Sequence, residues 1–252
     1  MSSFDLQRLR EKIRPLRLHW FPRLRSTNDH AAHLRRRGEL FAPAIVLTGH
    51  QLAGRGRGSN TWWSGEGSLT VTFVFPADTT LQAHQIPLIA GVAVRNAVAR
   101  LCGDANVQLK WPNDLLFGGK KLAGLLCERI DKIDLIGLGL NVNVNLAKIP
   151  KALRPRVVSM QAITGQTFDM TNVLIAVARQ LHQIFSQRNE NSFPAVLADY
   201  DRHHALAGRR VTVATAGEPP ITGTCTGLDN LGRLLLKNRL KTHHIIAGEV
   251  RV

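Results

Sequence analysis

Cysteine is scarce in this 252-residue chain, and the three present (Cys102, Cys127 and Cys225) are far apart, odd in number and without metal-ligand spacing. That pattern fits neither a disulfide framework nor a cysteine metal site, and reads as reduced core thiols in a cytosolic protein. No apolar run approaches the roughly 20 residues of a membrane span. The N-terminal stretch MSSFDLQRLREKIRPLRLHWFP is charged throughout and lacks the apolar core of a secretory signal, while Asp5, Glu11 and the low serine content argue against a transit peptide. Acidic residues are few, 18 against 33 Lys and Arg, for a net charge of +15. The imbalance favours acidic partners, whether nucleic acid, an acidic protein or a phosphate-bearing ligand, and says nothing of fold. Tyrosine occurs once, aromatics make up 6%, and the last 48 residues have none. A base-stacking platform there is poorly supported, which weakens the reading of a basic nucleic-acid-binding protein.

What is present is a core-forming composition, 44% hydrophobic, in a length that suits one large domain or a large one with a small one. Ser26-Thr27 before DHAAHLRRRGE is a helix N-cap signal and Gly38 a stop, predicting a helix over about 28–37. AIVLTGHQ (44–51) reads as a strand. SLTVTFVFP (68–76) alternates apolar and polar residues and reads as a half-buried strand. An Ala- and Val-rich helix covers 86–102. In 107–143, two apolar runs flank Gly118-Gly119, a hairpin signal, and a turn near Asp131-Lys132 leads to a strand over 133–140, giving an antiparallel meander. Residues 172–187 place Val173, Val177, Leu181, Ile184 and Phe185 on one helical face, with Arg179, Gln180 and Gln187 elsewhere. After about residue 204 the helical period disappears, and short strands separated by Gly-, Pro- and Asn-containing turns predict a small barrel.

Three stretches carry chemistry. In GRGRGSNTWWSGEG (54–67), glycines permit close backbone approach to a ligand, and Arg55 and Arg57 supply planar donors suited to carboxylate or phosphate. The stretch is neither a dinucleotide fingerprint nor a P-loop. In KWPND (110–114), Pro112 restricts Trp111 and fixes a bend, and Lys110, Asn113 and Asp114 together suit phosphate and Mg²⁺. In KKLAGLL, strand alternation places Lys121 on one face with Ala123 and Leu125, and a lysine turned inward requires an anionic partner.

Taken in order, STN (26–28), Q-x-A-G-R-G-R (51–57), W-x-S-x-x-G (62–67), KWPND-x₆-KLAGLL-x-E (110–128), GLGLNVN (137–143) and GEV (248–250) resemble the biotin protein ligase family over nearly the whole chain. The resemblance implies an α+β fold: a mixed, mainly antiparallel sheet with flanking helices over residues 1–204, then an SH3-like β-barrel over 205–252. It implies a ligase that uses biotin, ATP and Mg²⁺. Biotinyl-5′-adenylate forms first and is then transferred to a lysine of the biotin carboxyl carrier protein of acetyl-CoA carboxylase or a related carboxylase. Arg57 and Lys121 are the leading catalytic residues, with Lys110 and Asp114 beside them. Ser26, Thr27, Asn28 and Gln51 are expected at the ureido head of biotin, and Gly54, Arg55, Gly56 and Arg57 on the loop over its tail. Gly124 and Leu126 line the pocket, Trp62 stacks on adenine, and Asn113, Asp114 and Asn141 serve the nucleotide and metal. The metal ligands themselves are not identified.

The loop departs from the family in having Ser59-Asn60 where a second Gly-Arg pair is usual. Asn60 supplies no charge, so either Lys110, Arg57 or another arginine compensates or ATP binds more weakly. About 25 residues precede Ser26, fewer than the ~50 a DNA-binding domain and linker need. A monofunctional cytoplasmic ligase, monomeric or homodimeric, without specific DNA or membrane binding, is expected. A lipoate or octanoate ligase and a degenerate biotin-binding homologue with slow turnover are the alternatives.

Overall fold

A computed structural model describes residues 4–186 and 192–251. Helix α1 (Leu6–Lys12) precedes strand β1 (Arg17–Leu24), helix α2 (Thr27–Arg36), strand β2 (Ala44–Gln51), the short strands β3 (Gly54–Arg55) and β4 (Thr61–Trp62), and strand β5 (Ser68–Pro76). Helix α3 (Ile86–Leu101) leads into β6 (Gln108–Lys110), β7 (Asp114–Phe117), β8 (Lys120–Ile130) and β9 (Ile133–Asn141). Helices α4 (Met160–Thr164), α5 (Met170–Ser186) and α6 (Ser192–Arg202) follow, then β10 (Arg210–Ala214), β11 (Ile221–Leu228), β12 (Leu234–Lys237), β13 (Thr242–Ile245) and β14 (Glu249–Arg251).

The large sheet has the order β1-β2-β5-β9-β8-β7-β6. β1 runs parallel to β2, and every other neighbouring pair is antiparallel. The meander expected over 107–143 is therefore present. One of its two-residue turns is Gly118-Gly119, with φ of 56° and 75°, the positive pair of a type I′ hairpin. Helix α2 begins where the sequence marks it, with Ser26 Oγ accepting from Asp29 N at 3.3 Å. The helix expected over 172–187 is α5, which starts two residues earlier; Gln187 lies outside the described residues.

Two expectations from strand alternation fail. β5 is not half-buried, since every residue from Ser68 to Phe75 is buried. Leu69, Val71, Phe73 and Phe75 pack with residues of α3 and α5, while Val74 joins Ala31, Ala32 and Leu34 of α2 on the other face. Helices cover both faces, so alternation marks two buried surfaces rather than core and solvent. The second failure concerns Lys121. Pairing between β7 and β8 passes from Leu115↔Ala123 to Leu116↔Lys121, so Leu122 is an extra residue in a bulge. The bulge reverses the alternation. Leu122, Ala123 and Leu125 enter the core, and Lys121 emerges on the face of Gly124 and Leu126.

The second sheet, β13-β12-β11-β10-β14, is antiparallel throughout. Val211, Val213, Cys225, Leu234, Leu236, Ile245 and Val250 form its interior, which is continuous with the main core. Its approach is fixed by backbone bonds from Leu109 N to His203 O and from Ala205 N to Leu109 O, both 2.8 Å, and by Trp111 Nε1 donating to Gly232 O at 3.4 Å. Cys102 and Cys225 are buried and Cys127 is partly so, and all three are free, as expected. Burial pushes the Cys102 thiol up to about 11.

Candidate active site

The open face of β8 and β9, the β3–β4 hairpin and the C-terminal sheet enclose a cavity of about 760 Å³. It runs from the start of α2, past Lys121, to the 247–250 backbone. The glycines of GLGLNVN make this face accessible. A Cβ at Gly137 would overlap Asn28 Oδ1 and lie 3.0 Å from Asn28 Cγ, and one at Gly139 would overlap the Trp62 ring. Each glycine thus leaves room for one side chain to lie flat on β9.

One end of the cavity is a buried polar cluster. Ser26, Thr27 and Asn28 are buried because they form the first turn of α2 against the sheet. Gln51 Oε1 accepts from Thr27 N at 2.9 Å. Gln51 Nε2 has no protein hydrogen-bond partner among the described residues and remains available as a donor. Thr72 Oγ1, on β5, donates to Asn28 Oδ1 at 2.6 Å and lies 2.8 Å from Thr27 Oγ1. Asn28 Nδ2 donates to Leu126 O and to Glu128 Oε2 at 3.0 and 2.7 Å. The Asn28 amide is thus committed on both sides to protein groups and fixes the α2 end against β8. Glu128 also receives Arg55, whose guanidinium sits 2.9 Å from Glu128 Oε2 and 2.6 Å from Asp29 Oδ1. Burial opposes the charge on Arg55, but the bonds and charges of Glu128 and Asp29 outweigh it and hold its pKa above the ordinary value.

The other end is cationic. Lys121 Nζ lies 2.7 Å from Asp114 Oδ1, an ion pair whose angle is not that of a hydrogen bond. Lys121 thus has an anionic partner although it is not turned into the core; Asp114 is brought beside it by the pairing of Asp114 with Gly124. Gly124 leaves room for the pair, since a Cβ would lie 3.1 Å from Lys121 Nζ and 3.4 Å from Asp114 Oδ1 and crowd it. Trp62 lies across Gly139, with Lys121 Nζ 5.7 Å from its ring centroid, within cation–π range. Arg57 is half-buried and donates to Gly248 O at 3.3 Å. Burial lowers its pKa, with Asp114 opposing the shift. Lys110 Nζ donates to Val250 O at 3.1 Å. Asn113 Nδ2 donates to Leu125 O at 2.6 Å, pinning the KWPND turn to β8. Asn141 Nδ2 donates to Val158 O at 3.2 Å and holds the 157–158 segment over the site.

Of the residues expected at the site, Ser26, Thr27, Asn28, Gln51, Arg55, Gly56, Arg57, Trp62, Lys110, Asn113, Asp114, Lys121, Gly124, Leu126 and Asn141 all line this cavity. Gly54 does not. It is buried, and a Cβ there would meet Trp62 O at 2.5 Å and Gln51 Nε2 at 2.6 Å, so its role is close packing behind the loop. The 54–62 stretch is a hairpin in which Gly56 N donates to Asn60 O at 2.8 Å and Asn60 Nδ2 to Arg57 O at 3.1 Å. Asn60 therefore closes the turn that carries Arg57. Sequence reasoning did not assign Asp29, Thr72, Glu128, Arg156 or the carbonyls of Gly248 and Val250. Glu128 ends the KLAGLL-x-E motif, and a threonine within a strand buried on both faces signals an internal polar partner. Nothing local marks the two carbonyls.

A cavity with uncharged donors at one end and clustered cations at the other suits a ligand with a polar neutral head and an anionic tail joined to phosphates. The comparisons agree. Residues 20–145 match the profile of the Biotin/lipoate A/B protein ligase family, and residues 207–252 match the Biotin protein ligase C terminal domain. Biotin–[acetyl-CoA-carboxylase] ligase of Mycobacterium tuberculosis is 32% identical over 82% of this chain and 77% of its own. The enzyme of that name from Paracoccus denitrificans is 30% identical over 90% and 97%. The structure of biotin protein ligase from Aquifex aeolicus in complex with biotin and ATP superposes with a TM-score of 0.83 at 28% identity, over 93% of this chain and 97% of that one. Fold, motif order and the residues gathered on β8 and β9 agree with the two profile matches, and the chain belongs to the biotin protein ligase family.

Proposed function

We propose that this chain attaches biotin, at the expense of ATP, to a specific lysine of a biotin carboxyl carrier protein, by way of bound biotinyl-5′-adenylate. The observation that carries the reading is the single cavity joining the Ser26–Thr27–Gln51 cluster to Lys121, Arg57 and Lys110. It is supported by the names of the Mycobacterium and Paracoccus relatives, which are ligases of acetyl-CoA carboxylase, and by the biotin and ATP held by the Aquifex relative.

In the first step a biotin carboxylate oxygen bonds to the α-phosphorus of ATP while the bond to the β-phosphate breaks and pyrophosphate leaves. Both reactants are anions and repel until cations stand between them. Lys121 is placed for the reacting phosphoryl group, and Asp114 holds its ammonium in position. Arg57 serves the carboxylate side and Lys110 the outer phosphates. Such preorganised charge is commonly the largest contribution to catalysis, and alignment of the two reactants adds to it. The free Gln51 Nε2 and the Ser26 hydroxyl orient the ureido ring, and the Trp62 face receives adenine. In the second step the carrier lysine amine attacks the acyl carbon, an amide forms, and AMP leaves with its bonding pair. No enzyme nucleophile takes part.

Mg²⁺ enters with ATP as part of the substrate. Among the described residues no group of three or more His, Cys, Asp and Glu could hold a metal ion. Asp114 and Asn113 lie on the cavity wall as single oxygen donors, a set that fits an ion carried in on phosphates.

The chain is divided in this reading into a catalytic unit, 1–204, and a C-terminal unit, 205–252, that closes the cavity through Gly248 and Val250. The protein acts in the cytoplasm, as monomer or homodimer, without specific DNA or membrane binding; no helix of the described residues is long and apolar enough to cross a membrane. The match of 207–252 to the C-terminal domain of biotin protein ligases favours biotin over lipoate or octanoate. The test is mass spectrometry of a purified carrier domain incubated with the protein, MgATP and either biotin, lipoate or octanoate. Biotin addition at one lysine supports the reading, and octanoyl or lipoyl addition in its place overturns it.

A further inference from the structure

Five cations line the cavity: Arg55, Arg57, Lys110, Lys121 and Arg156. Four are already engaged by the protein. Arg55 is shared by Asp29 and Glu128, Lys121 is paired with Asp114, and Arg57 and Lys110 donate to the carbonyls of Gly248 and Val250. Asn60, on the hairpin tip where an arginine would add a sixth cation, commits its amide to Arg57 O. The Arg156 guanidinium has neither a hydrogen bond nor an ion pair among the described residues. Its backbone is not loose. Arg156 N donates to Leu153 O at 2.9 Å. The next residue, Val157, forms a parallel bridge with Lys121, and Val158 N donates to Lys121 O at 3.0 Å. The backbone of Arg156 is thus held one residue from a bridge to the lysine of the site, and its exposed side chain lines the cavity with its five donors unused.

We propose that Arg156 binds the triphosphate of ATP, supplying the guanidinium contact that the Asn60 turn lacks. The inference rests on the reaction proposed above, because it takes ATP as the nucleotide of this cavity. A free guanidinium gains most from a group with several acceptor oxygens, which it can engage bidentately. Of the other four, Arg55 and Lys121 are held by carboxylates, and Arg57 and Lys110 each spend one donor on a carbonyl.

The test compares the full chain with Arg156→Ala and Arg156→Lys, and with Asn60→Arg in the Arg156→Ala background. Calorimetric titration with MgATP and with pyrophosphate reads the site without turnover, and titration with biotin is the control. Arg156→Ala is expected to weaken both phosphate ligands about 10-fold or more with biotin affinity and melting temperature unchanged. Arg156→Lys should recover part of the loss, and Asn60→Arg should recover part from the hairpin side. Equal MgATP and pyrophosphate affinities in parent and Arg156→Ala overturn the inference. So does a loss of biotin affinity and melting temperature together, which marks a structural role. If the parent binds MgATP through Arg156 but transfers no biotin, the inference stands and the proposed reaction falls.

Discussion

Substituting Gly139 by alanine separates the two ends of the cavity. The added Cβ would overlap Trp62 Cε2 and lie 2.6 Å from both Cζ2 and Nε1. Ordinary contact is about 3.5–4.0 Å, so the ring must retreat by roughly an ångström. β9 cannot yield in its place, because it pairs with β5 on one side and β8 on the other. Trp62 is only partly buried, so it swings toward the cavity, and the strain of about 1–3 kcal/mol usual for overpacking is largely relieved. On the proposed assignment of Trp62 to adenine, what is lost is a flat surface worth about 1–3 kcal/mol for a base on an aromatic ring. KM for ATP should rise by about 5- to 150-fold, with biotin affinity within twofold of the parent. Gly137→Ala is the matched control. Its Cβ strikes Asn28, two residues along the same strand, so biotin affinity should fall and KM for ATP hold. The assays are ATP dependence of pyrophosphate exchange and biotin titration on both variants. An unchanged KM for ATP in Gly139→Ala, or the same profile in both variants, refutes the division of the cavity.

Three further perturbations test other parts. Lys121→Ala removes the ammonium proposed for the reacting phosphoryl group and should cut exchange by about 10²–10³-fold; its partly exposed ion pair is worth about 0–1 kcal/mol, so the melting temperature should hold, and an unchanged exchange rate would remove Lys121 from the mechanism. Arg57→Gly removes a charge-assisted bond of about 1.5–3 kcal/mol and should speed adenylate release by about 10- to 150-fold; equal off-rates in mutant and parent sink that role. His204 is buried, with no hydrogen-bond partner at either ring nitrogen, and burial lowers its pKa from 6.5 to about 4. Between those values the unfolded chain binds the extra proton. The stability His204 confers is therefore complete above pH ~6.5 and is lost as pH falls through ~4, up to roughly 3 kcal/mol. His204→Phe should flatten the fall in denaturant midpoint between pH 7 and 5, and a slope identical to the parent's contradicts the assignment.

Local rules reached much of this molecule. Ser26 marks α2 because its hydroxyl satisfies a free amide, and Gly118-Gly119 marks the β7–β8 turn because both φ values are positive. Lys121 does have an anionic partner, Asp114, but the pair is partly exposed, so the burial argument that called for it does not account for it. Failures arose where tertiary contacts overrule alternation. A bulge at Leu122 turns Lys121 onto the opposite face, and nothing in KKLAGLL distinguishes a bulged strand from a regular one. The threonines of β5 read as solvent-facing, yet both are buried, and Thr72 becomes the link between Thr27 and Asn28. The parallel strand β1 lies within a charged segment whose pairing with β2 is long-range. Most of the residues that the order and spacing of the family motifs single out line one cavity. The closure of the cavity by the carbonyls of Gly248 and Val250 was not legible, since a carbonyl has no residue type to read.

The measurement that bears most directly on the central claim is biotin-dependent exchange of radiolabelled pyrophosphate into ATP, with lipoate and octanoate as parallel acids. It isolates adenylate formation, the step for which the Ser26–Thr27–Gln51 cluster and the Lys121–Asp114 pair are joined in one cavity. Exchange with biotin alone is the predicted result, and it would also establish that the chain works with Asn60 at its hairpin tip. Exchange with octanoate or lipoate and none with biotin, or no exchange with any acid, contradicts the account.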